Sequence, residues 1–334
     1  MTSLSTVITA FIAFGVTLLL GVVLIPKLKK LKFGQTIRED GPKWHMGKQG
    51  TPTMGGILFI AGITIAAIAG YFILLSIDRS ALAGPEELVR LFGGLLMALL
   101  FGLIGFLDDY IKVVKKRNLG LRASQKIILQ VLVTALYLAA LWFGGDRSTV
   151  VNVPFLGAWD LGAFYFPVLG VLIIGMVNSV NLNDGIDGLC TSVTFVVAIF
   201  FMFATSALNL LGMNLLATAL AAGCIGFLLF NIHPARVFMG DTGSMFLGGM
   251  VVALGFGIDM EFILFFAGFV YCCESLSVMI QVGYFKLTHG KRLFKMSPIH
   301  HHFEMCGWSE NKIVAVFSFV TLVMCAIGFL AVVM

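Results

Sequence analysis

Residues 96–110 read LMALLFGLIGFLDDY, an unbroken apolar run that ends on two adjacent carboxylates, Asp108 and Asp109. At the centre of a membrane helix an acidic side chain costs roughly 2.5 to 3.5 kcal/mol, so a pair at the edge of one needs solvent or a cation. Working outward from this stretch, the whole chain has the same character. Of its 334 residues 59% are hydrophobic and 12% charged, with a mean hydropathy of +1.00. Soluble domains average about 45–50% apolar and 25% charged residues. The composition therefore excludes a soluble globular domain and indicates a polytopic, all-α membrane protein. The six cysteines show no CxxC pair and mostly lie inside apolar runs, which reads as small buried residues and not as ligands or disulfides.

A hydrocarbon core of about 30 Å takes around 20 residues of helix. Successive runs of that length lie near Leu4 to Ile25, Pro52 to Ser76, Leu88 to Leu107, Gln125 to Phe143, Phe164 to Val180, Leu189 to Leu208, Leu211 to Phe230, Ser244 to Ile258, Phe262 to Tyr284 and Ile313 to Met334. The pattern predicts about ten transmembrane helices in a single integral membrane domain, residues 1–334. Short connections near Asn209 and over Asp259 to Glu261 predict tight hairpins. MTSLST carries no basic residue, and the positive charges follow the first span, so that helix reads as a retained one and not a signal peptide.

Basic residues set the orientation. The loops after the first, third, seventh and ninth spans, with their margins, hold all of the 22 Lys and Arg except Arg79, Arg90 and Arg147. Lys32, Arg38, Lys43, Lys115, Lys116 and Arg117 are among them. By the positive-inside rule these loops are cytoplasmic and both termini face the outer, periplasmic or extracellular side. The net charge of +5 is thereby accounted for by short loops beside apolar spans, which argues against a nucleic-acid partner.

Four polar clusters fall on the cytoplasmic side. Asp108 and Asp109 are followed by Tyr110 and Lys112. NSVNLNDGIDG supplies Asn178, Asn181, Asn183, Asp184 and Asp187 without one basic residue. NIHPARVFMGDTGS contains Asn231, His233 and Asp241, and SPIHHHFE gives His300, His301, His302 and Glu304. Each has a bland explanation: a solvated helix end, Asx turns closed by glycine, a helix N-cap at Asp241 or Thr242, or a surface histidine run. Adjacent helical residues do not all face one ion, so the histidines do not read as a dedicated zinc site. Together the clusters say more. Carboxylates and carboxamides without cysteine suit a hard cation such as Mg²⁺. Lys48, Lys112, Lys126 and the histidines can neutralise phosphate oxygens. Acids, a hard cation and ammonium groups at a membrane surface point to phosphoryl transfer on a lipid-linked substrate.

KQGTPTMGG (48–56), FLDDY (106–110), NSVNLNDGIDGL (178–189), NIHPARVFMGDTGS (231–244) and SPIHHHFE (297–304) resemble, in order and over essentially the whole chain, the signature segments of the bacterial phospho-N-acetylmuramoyl-pentapeptide transferase family. The resemblance implies a transferase of peptidoglycan synthesis in the bacterial cytoplasmic membrane, its cleft open to the cytoplasm. It would move phospho-MurNAc-pentapeptide from UDP-MurNAc-pentapeptide to undecaprenyl phosphate, giving lipid I and UMP. Mg²⁺ is the implied cofactor and a homodimer a possible assembly.

The resemblance also implies roles. Asp241 would bind the metal, and Asp108, Asp109, Asp241 and His300 would be catalytic. Asn178, Asn181, Asp184 and Asp187 would contact the nucleotide, with Phe238 stacked on uracil and Asn231 supporting the metal or diphosphate. Lys48, Thr53, Lys112 and Lys126 would hold phosphates; His301 and His302 would bind the diphosphate or sugar. Asp108 is offered as a base. A phosphate monoester with a second pKa near 6 is mostly dianionic at neutral pH, however, so positioning is the alternative. Two other readings remain open: a related UDP-GlcNAc transferase, and a transporter of a phosphorylated solute, whose charges belong near the midplane.

Overall fold

In hydrocarbon, every backbone N–H and C=O needs an internal partner, and apolar runs of this length supply one only as helices. The computed structural model describes residues 2–30, 48–77, 84–114 and 120–334. Lys32, Arg38, Lys43, Arg79, Lys115, Lys116 and Arg117, used above for orientation, lie outside the described residues.

The elements run α1 (Thr2–Lys30), α2 (Gly56–Ile77), α3 (Pro85–Leu88), a π-helical turn (Val89–Gly93), α4 (Gly94–Val114) and α5 (Ala123–Gly144). A hairpin follows, β1 (Val150–Val153) and β2 (Gly157–Asp160), then α6 (Tyr165–Leu182), α7 (Leu189–Ala207), α8 (Leu211–Asn231) and α9 (Gly240–Gly257). The chain closes with α10 (Leu264–Ala267), α11 (Phe269–Leu287), α12 (Ile299–Met305) and α13 (Glu310–Val333). The chain is thus a mainly helical polytopic membrane protein. Among the described residues eight helices are long and apolar enough to cross a membrane, or nine if the bent pair over residues 261–287 is one span.

Three features depart from the sequence reading. The span expected over Phe262 to Tyr284 is broken at Gly268, where α10 and α11 meet at 81°. The short α10 packs against α13, and the bend lets α11 leave the bundle toward α6. Glycine-rich α9 is not among the eight; it is the central helix, buried at every residue from Thr242 to Gly257. It packs on α4, α6 and α2. Close approach is possible because α9 presents Gly249 directly to Ala98 of α4, as small residues do at membrane helix contacts. Finally, the chain is not wholly helical. β1 and β2 pair antiparallel, Val150 with Asp160 and Val153 with Gly157, around a turn with positive φ at Phe155 and Gly157.

Four-residue strands are too short to stand alone. The hairpin is fastened by Asn152 Nδ2, which donates to the Asp259 carbonyl at 3.0 Å, and by the Phe155 ring edge-on to Phe266. At the same end, Arg90 joins the starts and ends of three helices through Glu86 (2.9 Å), Asp146 (3.1 Å) and Asp259 (3.4 Å). The candidate site occupies the opposite helix ends.

Candidate active site

The first turn of α9 is the centre of the site. Its leading N–H groups have no partner inside the helix, and none of its own side chains caps it. Asp109, reaching across from α4, supplies the acceptor. Its carboxylate takes the N–H of Asp241 (3.2 Å), the N–H of Thr242 (2.9 Å) and the Thr242 hydroxyl (2.7 Å). The N-cap read at Asp241 or Thr242 is therefore provided from a different helix, and a negative group there also meets the positive end of the α9 dipole. Contact this close requires glycine on both sides. A Cβ on Gly105 would collide with the Asp241 carbonyl, and Gly240, at φ +70°, has the Asp109 carboxylate where a side chain would stand.

With its backbone fixed, Asp241 projects a half-buried carboxylate into a ring of donors. Oδ2 receives Lys126 at 2.9 Å and Lys112 at 3.2 Å. Oδ1 receives the Asn181 amide at 3.2 Å, and the same amide donates to Ser244 Oγ at 2.7 Å. Buried Asp108 completes the group: one oxygen pairs with Lys112 at 2.6 Å and the other accepts the Leu121 N–H at 2.8 Å. Both Asp108 oxygens are thus engaged in holding Lys112 and the start of the segment into α5. That geometry fits positioning better than proton abstraction.

A second group of charges lies beside the first. Residues 52–56 run along 238–239 through backbone hydrogen bonds, Phe238 N to Pro52 O, Gly55 N to Phe238 O and Gly56 N to Met239 O. This strap sets Thr53 beside Gly240 and fixes half-buried Phe238. Asn231 holds the far side of the same loop: it accepts from Thr191 Oγ1 at 2.9 Å and donates to the Val237 carbonyl at 3.0 Å. It supports the loop. The Lys48 ammonium is bracketed by Asp187 at 2.8 Å and Glu310 at 2.7 Å. Asp187 also takes His233 Nδ1 at 3.1 Å and the Ala235 N–H at 2.9 Å, and Glu310 accepts the Asp187 N–H at 3.0 Å. Lys48, expected on a phosphate, here ties four segments together.

Between these groups is the α6–α7 turn, residues 183–188. Asp184 carries a half-buried carboxylate with no hydrogen bond or ion pair among the described residues. Desolvation, with the charges of Asp241, Asp109 and Asp187 nearby, holds it well above the usual carboxylate range. The turn is backed by His300, whose ring fills the space over Gly185. His300 is fully buried; its Nδ1 meets buried Glu274 of α11 at 3.0 Å. The histidines therefore divide. His301 pairs with Glu304 at 2.6 Å, while His302 Nδ1 accepts the Lys295 N–H at 3.1 Å and packs on Phe294. Asn178, expected on the nucleotide, meets Gln130 of α5, donating to it at 2.9 Å.

Thus the structure brings together Asp108, Asp109, Lys112, Lys126, Asn181 and Asp241, with Thr53 and Asp184 close by. Lys48, Asn178, Asp187, Asn231 and His300 are turned to neighbouring protein groups. Sequence reasoning passed over Glu274, Glu310 and Gln130. Glu274 did leave a signal, a lone acid inside the apolar run FVYCCESLSVMI. Glu310, behind a serine N-cap, looked like ordinary helix-start chemistry.

The donor set fits a hard divalent cation. Asp108, Asp109 and Asp241 each offer a carboxylate oxygen, and these oxygens lie within 4.8 Å of one another. All are oxygen donors, as Mg²⁺ prefers. Of the three, Asp241 is the more accessible and the one whose carboxylate is not used as a cap or loop fastening.

Known proteins resemble this chain along nearly its whole length. Residues 91–258 match the model of glycosyl transferase family 4, and residues 48–60 match phospho-N-acetylmuramoyl-pentapeptide-transferase signature 1. Those two matches cover the Asp241 group and the strap that carries Thr53. A curated phospho-N-acetylmuramoyl-pentapeptide-transferase of Heliobacterium modesticaldum is 50% identical over 96% of this chain and 95% of its own length. Proteins of the same name from Clostridioides difficile (46%, covering 97% of each chain) and Clostridium botulinum (44%, covering 98% of this chain and 96% of the relative) are also similar. With identity at this level along nearly its whole length, the chain belongs to the phospho-N-acetylmuramoyl-pentapeptide-transferase family.

Proposed function

We propose that the chain transfers phospho-MurNAc-pentapeptide from UDP-MurNAc-pentapeptide to undecaprenyl phosphate, forming lipid I and releasing UMP. The observation that carries the reading is the convergence of Lys112, Lys126 and Asn181 on one accessible carboxylate, Asp241, at a single end of a membrane bundle. Family membership supports the same activity.

In this reading the chain crosses the bacterial cytoplasmic membrane ten times: the eight apolar helices, central α9, and the bent α10–α11 pair. Both termini lie outside and the Asp241 group faces the cytoplasm, which places the loops rich in Lys and Arg inside. A homodimer is the proposed assembly. Mg²⁺ is the proposed cofactor, held by Asp241 with Asp108 and Asp109 behind it; it would neutralise diphosphate charge. Thr53 and Asp184 face the nucleotide sugar, with Phe238 available to stack on the base and His301 and His302 at the sugar end.

The lipid phosphate is mostly dianionic at neutral pH. One of its oxygens forms a bond to the β-phosphorus of the nucleotide sugar, and the bridging P–O bond to the α-phosphate breaks in line, its electron pair leaving on UMP. Lys112 and Lys126 stand where they can take up that charge. Asp108 holds Lys112 and the segment at Leu121, so the deficit of Asp108→Asn is expected to persist at high pH; recovery there would assign it a deprotonating role. The activity itself is tested by UMP release from UDP-MurNAc-pentapeptide with polyprenyl phosphate and Mg²⁺ in detergent. No release, beside release by the Heliobacterium modesticaldum relative in the same detergent, overturns the proposal.

A further inference from the structure

Gln130 has no part in the site described so far, yet it is a fully buried amide inside a membrane-spanning helix. A polar group so placed is costly unless paired. Its partner is Asn178 of α6, and the pairing runs both ways. Gln130 Nε2 donates to Asn178 Oδ1 at 3.2 Å, and Asn178 Nδ2 donates to Gln130 Oε1 at 2.9 Å and to the Ile174 carbonyl at 2.8 Å. Both N–H groups of Asn178 are therefore used within the protein. Among the described residues these are the only side-chain hydrogen bonds between α5 and α6. Farther along, the two helices flank an open apolar groove of about 560 Å³ lined by Thr134, Leu138, Trp142, Phe166 and Gly170.

The location of the pair matters more than its existence. Gln130 lies one helical turn after Lys126, and Asn178 lies three residues before Asn181, so each shares a helix face with a residue that holds Asp241. Lys126 takes Asp241 Oδ2 at 2.9 Å and Asn181 takes Oδ1 at 3.2 Å. A tie meant only for stability would serve anywhere along the contact. We propose that Gln130 and Asn178 form a clasp that locks α5 to α6 so that Lys126 and Asn181 grip opposite oxygens of Asp241, making Gln130 a positioning residue for phosphoryl transfer. The inference rests on the proposed function and reassigns Asn178 from nucleotide contact to alignment.

The test uses the full chain in detergent with three variants: Gln130→Met, which keeps volume and removes the amide, Asn178→Leu, and the two together. Thermal midpoint, UMP affinity by calorimetry, turnover, and acetylation of Lys126 read by mass spectrometry are measured on each. Release of Lys126 from Asp241 is expected to raise its acetylation about fivefold or more in either single variant, with turnover lowered about tenfold or more and UMP affinity within about twofold of wild type. Because the two amides act as one unit, the double variant is expected to be no worse than the poorer single. The clasp is overturned if Lys126 acetylation in folded Gln130→Met stays at the wild-type level, or if the two single losses multiply in the double variant. A large loss of UMP affinity in Asn178→Leu alone likewise overturns it, since Asn178 would then be a direct ligand. Should Gln130→Met fail to fold, Gln130→Glu keeps the acceptor for Asn178 and loses the donor; an intermediate rise in acetylation is then expected, and none overturns the clasp. Acetylation needs no turnover, so a wild-type protein that releases no UMP removes the functional reading while the clasp is still judged by Lys126.

Discussion

Two clusters of carboxylates and ammonium groups sit side by side at the same end of the bundle, built from the same residue types to opposite effect. Around Lys48, every charge is answered: Asp187 and Glu310 bracket the ammonium, and their remaining oxygens meet His233 and two backbone N–H groups. Around Asp241 the arrangement stays open. Two lysines and an amide share a half-buried carboxylate, and Asp184 stands near it without a partner among the described residues. A closed lattice of charges fastens segments; an open one, with a carboxylate lacking a partner, is suited to take a charged ligand. The difference shows why counting Asp and Lys in a motif does not identify the reacting groups.

The largest expected effect tests the open cluster. Asp241→Asn should lower UMP release by roughly 10²–10³, the scale of losing one preorganised electrostatic contact, while the folded protein survives because Asp109 still caps α9. Near-normal turnover would mean that the centre lies elsewhere. Lys126→Met should come next, with a fall of about tenfold to a hundredfold in turnover and little change in denaturation midpoint. The closed cluster should behave in reverse. Lys48→Met leaves Asp187 and Glu310 facing each other without their shared cation, so stability should fall by about 3 kcal/mol. The nucleotide-sugar KM should rise more than kcat falls, because the turn carrying Asp184 is loosened. If Lys48→Met instead costs turnover with stability intact, the two clusters are not distinct in kind.

The smallest effect concerns Asp184. Its carboxyl titrates above its unfolded value, so above that range the folded state carries a penalty that the unfolded state does not. Stability is therefore recovered as pH falls through the raised folded value toward the ordinary carboxylate range. Asp184→Asn should raise the denaturation midpoint of the ligand-free protein by a few degrees near pH 8, with the gain shrinking at lower pH, and should weaken UMP binding. A midpoint that drops at all pH values would show that Asp184 is structural.

Much of this was legible in the chain itself. Apolar runs with loop charges gave a polytopic helical bundle, and the acidic motifs gave a site at one face, since membrane spans must place their polar connections at their ends. Glu274, hidden in an apolar run, was readable by the same logic, but its partner His300 lies 26 residues farther along the chain. The hairpin was not expected: two four-residue strands make a weak local signal and hold through Asn152, Phe155 and buried Val151 against distant residues.

What the sequence by itself determined was the class of molecule, most of its apolar helices and the residue types of the candidate site, because hydrophobic length and carboxylate chemistry are local properties. Only the tertiary structure decided which groups pair. Asp109 proved to be the cap of a helix 132 residues away, and Lys48 the fastening between Asp187 and Glu310. Gln130 emerged as the partner of Asn178. Each of these rests on a pairing between segments far apart in the chain, and a hydrogen bond across such a distance leaves no periodicity to read.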